Sequence, residues 1–145
     1  MKIIAYGSLM NKKSLAKTLK EPIKLTKITI KNFERVFNAP FGKFAYLNLR
    51  PRKNAKIEAA YFEASNKQIN LLNKREGIAP TEIQKGFFAY IWPKEKCANL
   101  PVVASYIKVC ETGAKELDIN FWQGTVVPKK IINDLKNPLY ENYAE

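Results

Sequence analysis

The sequence predicts an α+β fold, a small mixed, mostly antiparallel β-barrel flanked by short helices. Extended apolar runs with short turns fill the middle of the chain, from residue 23 to residue 64. Another apolar run, Phe87–Trp92, is stopped by Pro93. Because no linker interrupts the 145 residues, we expect one domain over 1–145, with residues 137–145 as a tail that is either mobile or packed on the barrel.

The first strand leads through a turn into a helix. An unbroken apolar run covers residues 3–6, and Gly7-Ser8 then allows a tight turn. Either Asn11 or Ser14 can cap the helix that follows. Such a junction presents backbone N–H groups from Gly7 to Leu9 that suit a carboxylate or a developing oxyanion. One glycine makes a weak motif, however, and an ordinary strand–helix connection is the alternative.

The strands of the middle region are predicted from alternating apolar residues. The apolar phase shifts between Leu25 and Ile28, which indicates a β-bulge. Turns are predicted at 39–42 and at 51–54, where glycine, proline, asparagine and basic residues gather. The segments between and after these turns, 44–49 and 56–64, are predicted strands.

The second helix ends beside an acidic residue. Ser65 is suited to cap its start, and Gly77 is suited to the left-handed conformation that ends a helix. Glu76 therefore stands at a helix C-terminus, where the macrodipole disfavours a carboxylate. If Glu76 also faces an apolar cavity, desolvation raises its pKa further. The alternative is a solvated glutamate in a surface turn.

Two proline residues are predicted to open the later helices. Pro101 begins a helix through Leu117, in which Gly113 indicates close packing against another element. Pro128 begins a short helix through residues 131–135.

The net charge of +12 suggests a nucleic-acid partner, but its distribution argues against a specific one. Most of the positive charge is lysine spread over every segment, and arginine, which forms specific forks to bases and phosphates, is scarce. The arginines are Arg35, Arg50, Arg52 and Arg75. We expect no specific nucleic-acid partner, only salt-sensitive attraction to polyanions.

The chain contains no histidine. This excludes Ser–His–Asp triads, Cys–His pairs and histidine-containing zinc sites. Cys97 and Cys110 have no metal-ligand spacing, so we expect no metal and no cofactor. Proton transfer near pH 7 must then use a carboxylate of raised pKa, a lysine of lowered pKa, a tyrosine or a cysteine.

No apolar run is long enough for a membrane span or a secretory signal. We therefore expect a cytoplasmic protein with no membrane partner. Both a monomer and a homodimer stay open.

Five stretches, in order, carry a resemblance to a known family: Tyr6-Gly7-Ser8-Leu9-Met10, Phe33–Asn38, Asn48-Leu49 with Pro51, Ala60–Gly77 and Tyr106–Leu117. The first resembles the Tyr-Gly-Ser-x-Leu loop of the γ-glutamylcyclotransferase-like family, with Met10 in place of the leucine. The fourth is similar to that family's strand–helix–Arg-Glu-Gly unit. The resemblance spans most of the chain, and the order and spacing of its weak motifs are together fairly specific.

The resemblance implies a small β-barrel that cyclises a γ-glutamyl group to 5-oxoproline and releases an amine or amino acid, without a cofactor. It implies that Tyr6, Gly7, Ser8 and Leu9 bind a small γ-glutamyl substrate and that Glu76 is the general acid/base. The segment after Gly77 lacks the aromatic residue and the tyrosine that many members have there. The wall of the pocket is then either missing or supplied elsewhere, with Tyr46 and Tyr106 as candidates.

Three hypotheses follow for function. The first is a γ-glutamyl cyclotransferase. The second is a barrel that binds a small carboxylate ligand without this catalysis. The third is a basic, nucleic-acid-associated protein. The first two hypotheses are distinguished by whether Glu76 faces the same cavity as Gly7 to Leu9.

Overall fold

A computed structural model of the protein describes residues 1–133, so the predicted tail at 137–145 lies outside the described residues. This part of the chain forms seven strands and three α-helices. The elements are β1 (Lys2–Ala5), α1 (Lys12–Leu19), β2 (Thr26–Phe41), β3 (Phe44–Glu63), α2 (Asn66–Glu76), β4 (Thr81–Gln84), β5 (Phe87–Ala89), β6 (Val102–Val103), α3 (Ala104–Glu116) and β7 (Ile131–Ile132). The predicted α+β class is confirmed.

The main sheet of residues 1–133 has five strands in the order β2-β3-β1-β5-β4. Only β1 and β5 pair in parallel, so the sheet is mixed and mostly antiparallel, as predicted. It is not closed into a barrel, and this part of the prediction is wrong. At the outer edge of β2, Arg35 pairs with an irregular segment instead of with another strand of the sheet. Arg35 N donates to Gly124 O at 2.8 Å, and Val126 N donates to Arg35 O at 2.9 Å.

The β2–β3 hairpin is longer than the sequence indicates. Residues 51–54 do not form the predicted turn but continue β3. The other predicted turn, at 39–42, is confirmed in part: the chain reverses at Gly42 and Lys43, while residues 39–41 still belong to β2. In the ladder, residues 52–55 lie opposite the single residue Asn32, which makes a wide irregularity. Asn32 and Asn54 both have positive φ there, 67° and 66°, and Asn54 N donates to Asn32 Oδ1 at 3.1 Å. The turn-favouring residues thus mark a bulge rather than a chain reversal.

The first two helices begin and end as their capping residues predict. Asn11 Oδ1 accepts from Ser14 N at 3.0 Å, which makes Asn11 the N-cap of α1. Ser65 and Gln68 form a reciprocal capping box at the start of α2. Gly77 ends α2 with φ 75°. These local hydrogen bonds fix where α2 ends and therefore where Glu76 lies.

Two predictions about the last third of the chain are wrong. Residues 131–132 form strand β7 rather than part of a helix, since they pair in parallel with the buried residues Val102 and Val103. The rest of that predicted helix, at Leu135, lies outside the described residues. Strand β5 stops at Ala89, before Trp92, because the Asn48 side chain takes over the hydrogen bonds of Trp92.

Gly113 allows α3 to lie directly against the chain that leads into α1. A Cβ atom at Gly113 would lie 2.5 Å from Asn11 N and 2.6 Å from Met10 C. Both atoms are backbone, so they cannot rotate away as a flexible side chain can. The close packing predicted for Gly113 is confirmed.

We expect Gly113→Ala to lower the free energy of unfolding by about 1–2 kcal/mol. Overpacking costs about 1–3 kcal/mol, which outweighs the preference of about 1 kcal/mol for alanine over glycine in a helix. Urea unfolding measures the change. Thr112→Ala is the matched control, because Thr112 is the exposed neighbour on the same helix and the change should be neutral or slightly stabilising. Equal stability of the two variants would contradict the packing argument.

Candidate active site

The turn after β1 forms one wall of the site. Residues Ser8–Met10 make a single 3₁₀ turn, closed by Met10 N to Gly7 O at 2.9 Å and by Asn11 N to Ser8 O at 3.0 Å. Within residues 1–133, the N–H groups of Ser8 and Leu9 have no backbone acceptor. These donors stand at the position where the sequence analysis expects anion contacts. We call residues 6–10 the motif loop.

Gly7 lets the motif loop approach the sheet and α3 closely. A Cβ atom at Gly7 would lie 3.0 Å from Leu47 Cδ2 and 3.6 Å from Tyr106 Oη. Its φ of −137° lies outside the left-handed region, and the close contact with Leu47 limits the space for a side chain at this position. The glycine therefore keeps the loop against the wall that Leu47 and Tyr106 form.

Glu76 is the last residue of α2. Its side chain is 16% exposed, and no donor among residues 1–133 is within hydrogen-bond distance of its carboxylate. Burial raises the pKa of Glu76, and the positive charge of Arg75 opposes that rise. Oε1 of Glu76 is 3.9 Å from Arg75 Nε. A carboxylate with this environment is suited to take up a proton nearer neutral pH than usual.

Glu76 and the motif loop line one cavity. The structure thus brings together all the predicted site residues, Tyr6, Gly7, Ser8, Leu9 and Glu76. The depression measures about 420 Å³ up to its open mouth, but its interior holds only about 20 Å³, the room of roughly one water molecule. Among the described residues that line the cavity, Glu76 is the one acidic residue, and there is no lysine or arginine.

Five aromatic rings, together with Ala39 and Leu47, form the rest of the cavity wall. The rings are those of Phe41, Tyr46, Tyr90, Trp92 and Tyr106. Tyr46 and Tyr106, which the sequence analysis named as replacements for the missing aromatic residue, pack edge to face with centroids 4.8 Å apart. Phe41 packs in the same way on Trp92 at 5.3 Å. These rings come from β2, β3, α3 and the chain after β5 rather than from the short segment after Gly77.

Sequence reasoning missed Phe41 and Trp92. Trp92 comes to the site because the Asn48 side chain accepts from Trp92 N at 2.9 Å and donates to Trp92 O at 3.1 Å. The amide of Asn48 therefore acts as a short piece of neighbouring strand. The available signal was a buried asparagine in an apolar strand, which needs a partner for its amide.

The tyrosine hydroxyls of the wall bond to protein groups. Tyr6 Oη donates to Tyr90 O, and Tyr90 Oη donates to Asn73 Oδ1 at 2.8 Å. Leu47 N donates to Tyr106 Oη at 3.0 Å. Burial, with the nearby Glu76 charge, raises the pKa of Tyr90. Tyr90 is therefore a neutral wall group rather than a base.

Neither cysteine lines the cavity. Burial raises the pKa of Cys110 to about 12 and also raises that of Cys97, so neither forms a thiolate readily at neutral pH. Over residues 1–133, no group of three or more cysteine, aspartate or glutamate side chains could hold a metal ion.

In the described part of the chain, no helix combines the length and apolar character needed to cross a membrane.

Comparison with known proteins supports the fold. No protein-family model matches the sequence, and no curated protein matches it significantly. A solved structure described as a gamma-glutamyl cyclotransferase matches with a TM-score of 0.67 at 14% identity, over 81% of this chain and 79% of that one. The uncharacterized protein loc79017 from Homo sapiens matches with a TM-score of 0.62 at 14% identity, over 79% of this chain and 78% of that one.

YkqA from Bacillus subtilis matches with a TM-score of 0.65 at 15% identity, over 80% of this chain but 48% of YkqA, so this chain spans about half the length of YkqA. At these identities the likeness establishes the fold. The chain has the γ-glutamyl cyclotransferase-like fold that its motifs indicate.

We expect Glu76→Gln to be more stable than the wild type at neutral pH. A carboxyl whose folded pKa is raised binds more protons in the folded state, so its contribution to stability falls as pH rises from the ordinary value of 4.5 through the raised value. The glutamine removes that loss, and the advantage should vanish on acidification below about pH 4.5. Urea unfolding of both proteins from pH 4 to pH 8 measures the difference.

Glu63→Gln is the control for this comparison, because the Glu63 side chain is 68% exposed. Its stability relative to wild type should show no such dependence on pH. A constant difference between wild type and Glu76→Gln across the range would contradict a raised pKa at Glu76.

Proposed function

We propose that the protein is a γ-glutamyl cyclotransferase. Its substrate would be a γ-glutamyl amine or γ-glutamyl amino acid, and its products 5-oxoproline and the free amine. The observation that carries the proposal is the cavity that the buried Glu76 and the motif loop line together. The fold, shared with a structure described as a gamma-glutamyl cyclotransferase, supports it.

The proposed reaction needs little more than a folded substrate and a proton carrier. The α-amine nitrogen attacks the γ-carbonyl carbon of the same molecule, so a C–N bond forms and closes a five-membered ring. The γ-amide C–N bond then breaks and releases the amine. Because both reacting groups belong to one molecule, the protein mainly has to hold them close together.

Glu76 would carry the proton between the two nitrogens. The substrate amine is an ammonium at neutral pH and must lose a proton before it attacks. A carboxylate of raised pKa can accept that proton and later give it to the leaving nitrogen. Glu76 would also attract the ammonium on entry, since it is the negative charge of the described cavity wall.

The motif loop would hold the substrate's negative charge. Backbone N–H groups of Ser8 and Leu9 can donate to the α-carboxylate or to the oxyanion of the tetrahedral intermediate. No lysine or arginine of residues 1–133 lines the cavity, so these dipoles supply the anion contacts there. The aromatic wall would keep water from the reacting carbon.

A second candidate function is binding of a small carboxylate without turnover. The narrow interior favours it, because about 20 Å³ admits a single small group unless the aromatic wall moves. The same N–H donors would bind the ligand. Detection of 5-oxoproline from a panel of γ-glutamyl compounds separates the two candidates, since only the enzyme releases it.

We expect Glu76→Gln to reduce 5-oxoproline release by at least about 10²-fold, the lower range for a positioned acid/base group. Glutamine keeps the size of the side chain but cannot accept the ammonium proton. Substrate affinity should change little. Ser8→Ala should cost less, because the donors of the motif loop are backbone groups.

The exposed Glu63→Gln variant should keep wild-type activity. Release of 5-oxoproline is measured for all the proteins under the same conditions. A Glu76→Gln variant with most of its activity intact would remove Glu76 from the mechanism.

A further inference from the structure

We propose that Arg75 is the positioning residue of this site: its guanidinium binds the Ser8 hydroxyl and lies beside Glu76, and so fixes the motif loop relative to the carboxylate. As a statement about catalysis this rests on the function proposed above. The geometric part does not, and it can be tested without turnover.

Arg75 reaches the motif loop from behind the cavity wall. It does not line the cavity, and its side chain is 2% exposed. Neighbouring residues of a helix project about 100° apart, so Glu76 turns to the cavity while Arg75 turns to α1. The side chain then passes under the loop and meets it at Ser8.

Four hydrogen bonds fix the guanidinium between three elements. Nη2 donates to Ser8 Oγ at 3.1 Å and to Ser14 Oγ at 2.9 Å. Nη1 donates to Ser14 O at 3.2 Å and to Thr18 Oγ1 at 2.8 Å. One planar group thus joins the end of α2, the motif loop and α1. A shift of any of the three would strain bonds to the other two.

The charge of Arg75 has a use beyond packing. The four acceptors named above are hydroxyl and carbonyl oxygens, which do not by themselves require a charged donor. The Glu76 carboxylate lies 3.9 Å from Nε, where the positive charge favours its ionised form. Arg75 therefore offsets part of the desolvation that burial imposes on Glu76.

Among the described residues that face Glu76, Arg75 is the one that carries a charge near pH 7. The titratable group next to Glu76 on α2 is Arg75. The titratable group near Glu76 in the segment after β5 is Tyr90. The other titratable groups of the described cavity wall are Tyr6 of the motif loop, Tyr46 of β3 and Tyr106 of α3. Tyrosines are neutral near pH 7, so the titration of Glu76 reports on Arg75.

The first test is the titration of Glu76 itself. Side-chain ¹³C signals of glutamate are followed against pH, with Glu76→Gln used to assign the Glu76 signal. In Arg75→Gln the pKa of Glu76 should rise, because the neighbouring positive charge is gone. In Arg75→Lys, which keeps a charge, it should stay closer to wild type. An unchanged pKa in folded Arg75→Gln would overturn the electrostatic part of the proposal.

The second test is the geometry of the motif loop. A lysine ammonium cannot bridge Ser8, Ser14 and Thr18 as the fork does, so the amide NMR signals of Gly7, Ser8 and Leu9 should move in Arg75→Lys. Lys74→Gln is the matched control, since it removes an exposed positive charge next to Arg75 on the same helix and leaves the four hydrogen bonds of the guanidinium in place. Its loop signals should stay in place. Unmoved loop signals in Arg75→Lys would overturn the positioning role, even if Arg75→Gln does not fold.

The third test is kinetic. Arg75→Lys should lower kcat for 5-oxoproline release by about 10-fold to 10²-fold, the cost expected for a small misplacement of reacting groups. In Arg75→Gln the acidic limb of the pH profile should also move to higher pH, because Glu76 must be ionised to act as a base. The exposed Lys74→Gln variant should stay within about twofold of wild type. A purely structural clamp would lower thermal stability without moving the pH profile. If the wild type releases no 5-oxoproline, the proposed function fails while the titration and the loop signals still decide the role of Arg75.

Discussion

The position of the motif loop on the sheet depends on the hydrogen bonds of one buried guanidinium, that of Arg35. Arg35 is fully buried, and Nε donates to Tyr6 O at 2.6 Å, at the end of the first strand. Nη2 donates to Glu58 O in β3, while Nη1 reaches Phe121 O at 3.4 Å and Gln123 O at 3.5 Å. Burial lowers its pKa to about 10, so it stays charged at neutral pH. One side chain thus satisfies the carbonyl groups left where the open sheet meets the motif loop.

The position of the site follows from that junction. Because Tyr6 O is tied to Arg35, the motif loop leaves the sheet at a fixed point. Close contacts at Gly7 and Gly113 then press the loop against β3 and α3. The caps at both ends of α2 fix the position of Glu76, and Glu76 and the motif loop line the same narrow cavity. The rigid parts lie around the cavity, and this suits a reaction that depends on orientation.

Two buried arginines serve different purposes in this protein. Arg35 donates to backbone carbonyls, so its role is to complete hydrogen bonding where strands end. Arg75 donates mainly to hydroxyl groups and lies 3.9 Å from the Glu76 carboxylate, so its charge acts on another titratable group. The cost of desolvating each guanidinium is offset in a different way. Both arginines bind residues that are far away in the sequence, as Arg35 does Tyr6 and Arg75 does Ser8.

The elements that the sequence by itself determined are those held by local hydrogen bonds. The caps at Asn11 and Ser65 and the left-handed Gly77 depend on residues three or four positions away, so residue type alone locates the helix ends. The shared cavity of Glu76 and the motif loop was implied by the family resemblance, not by local signals. Only the tertiary structure decided the open sheet, the continuation of β3 through 51–54 and the aromatic wall. Each of these depends on partners far along the chain, as Trp92 does on Asn48, and such pairing leaves no local pattern.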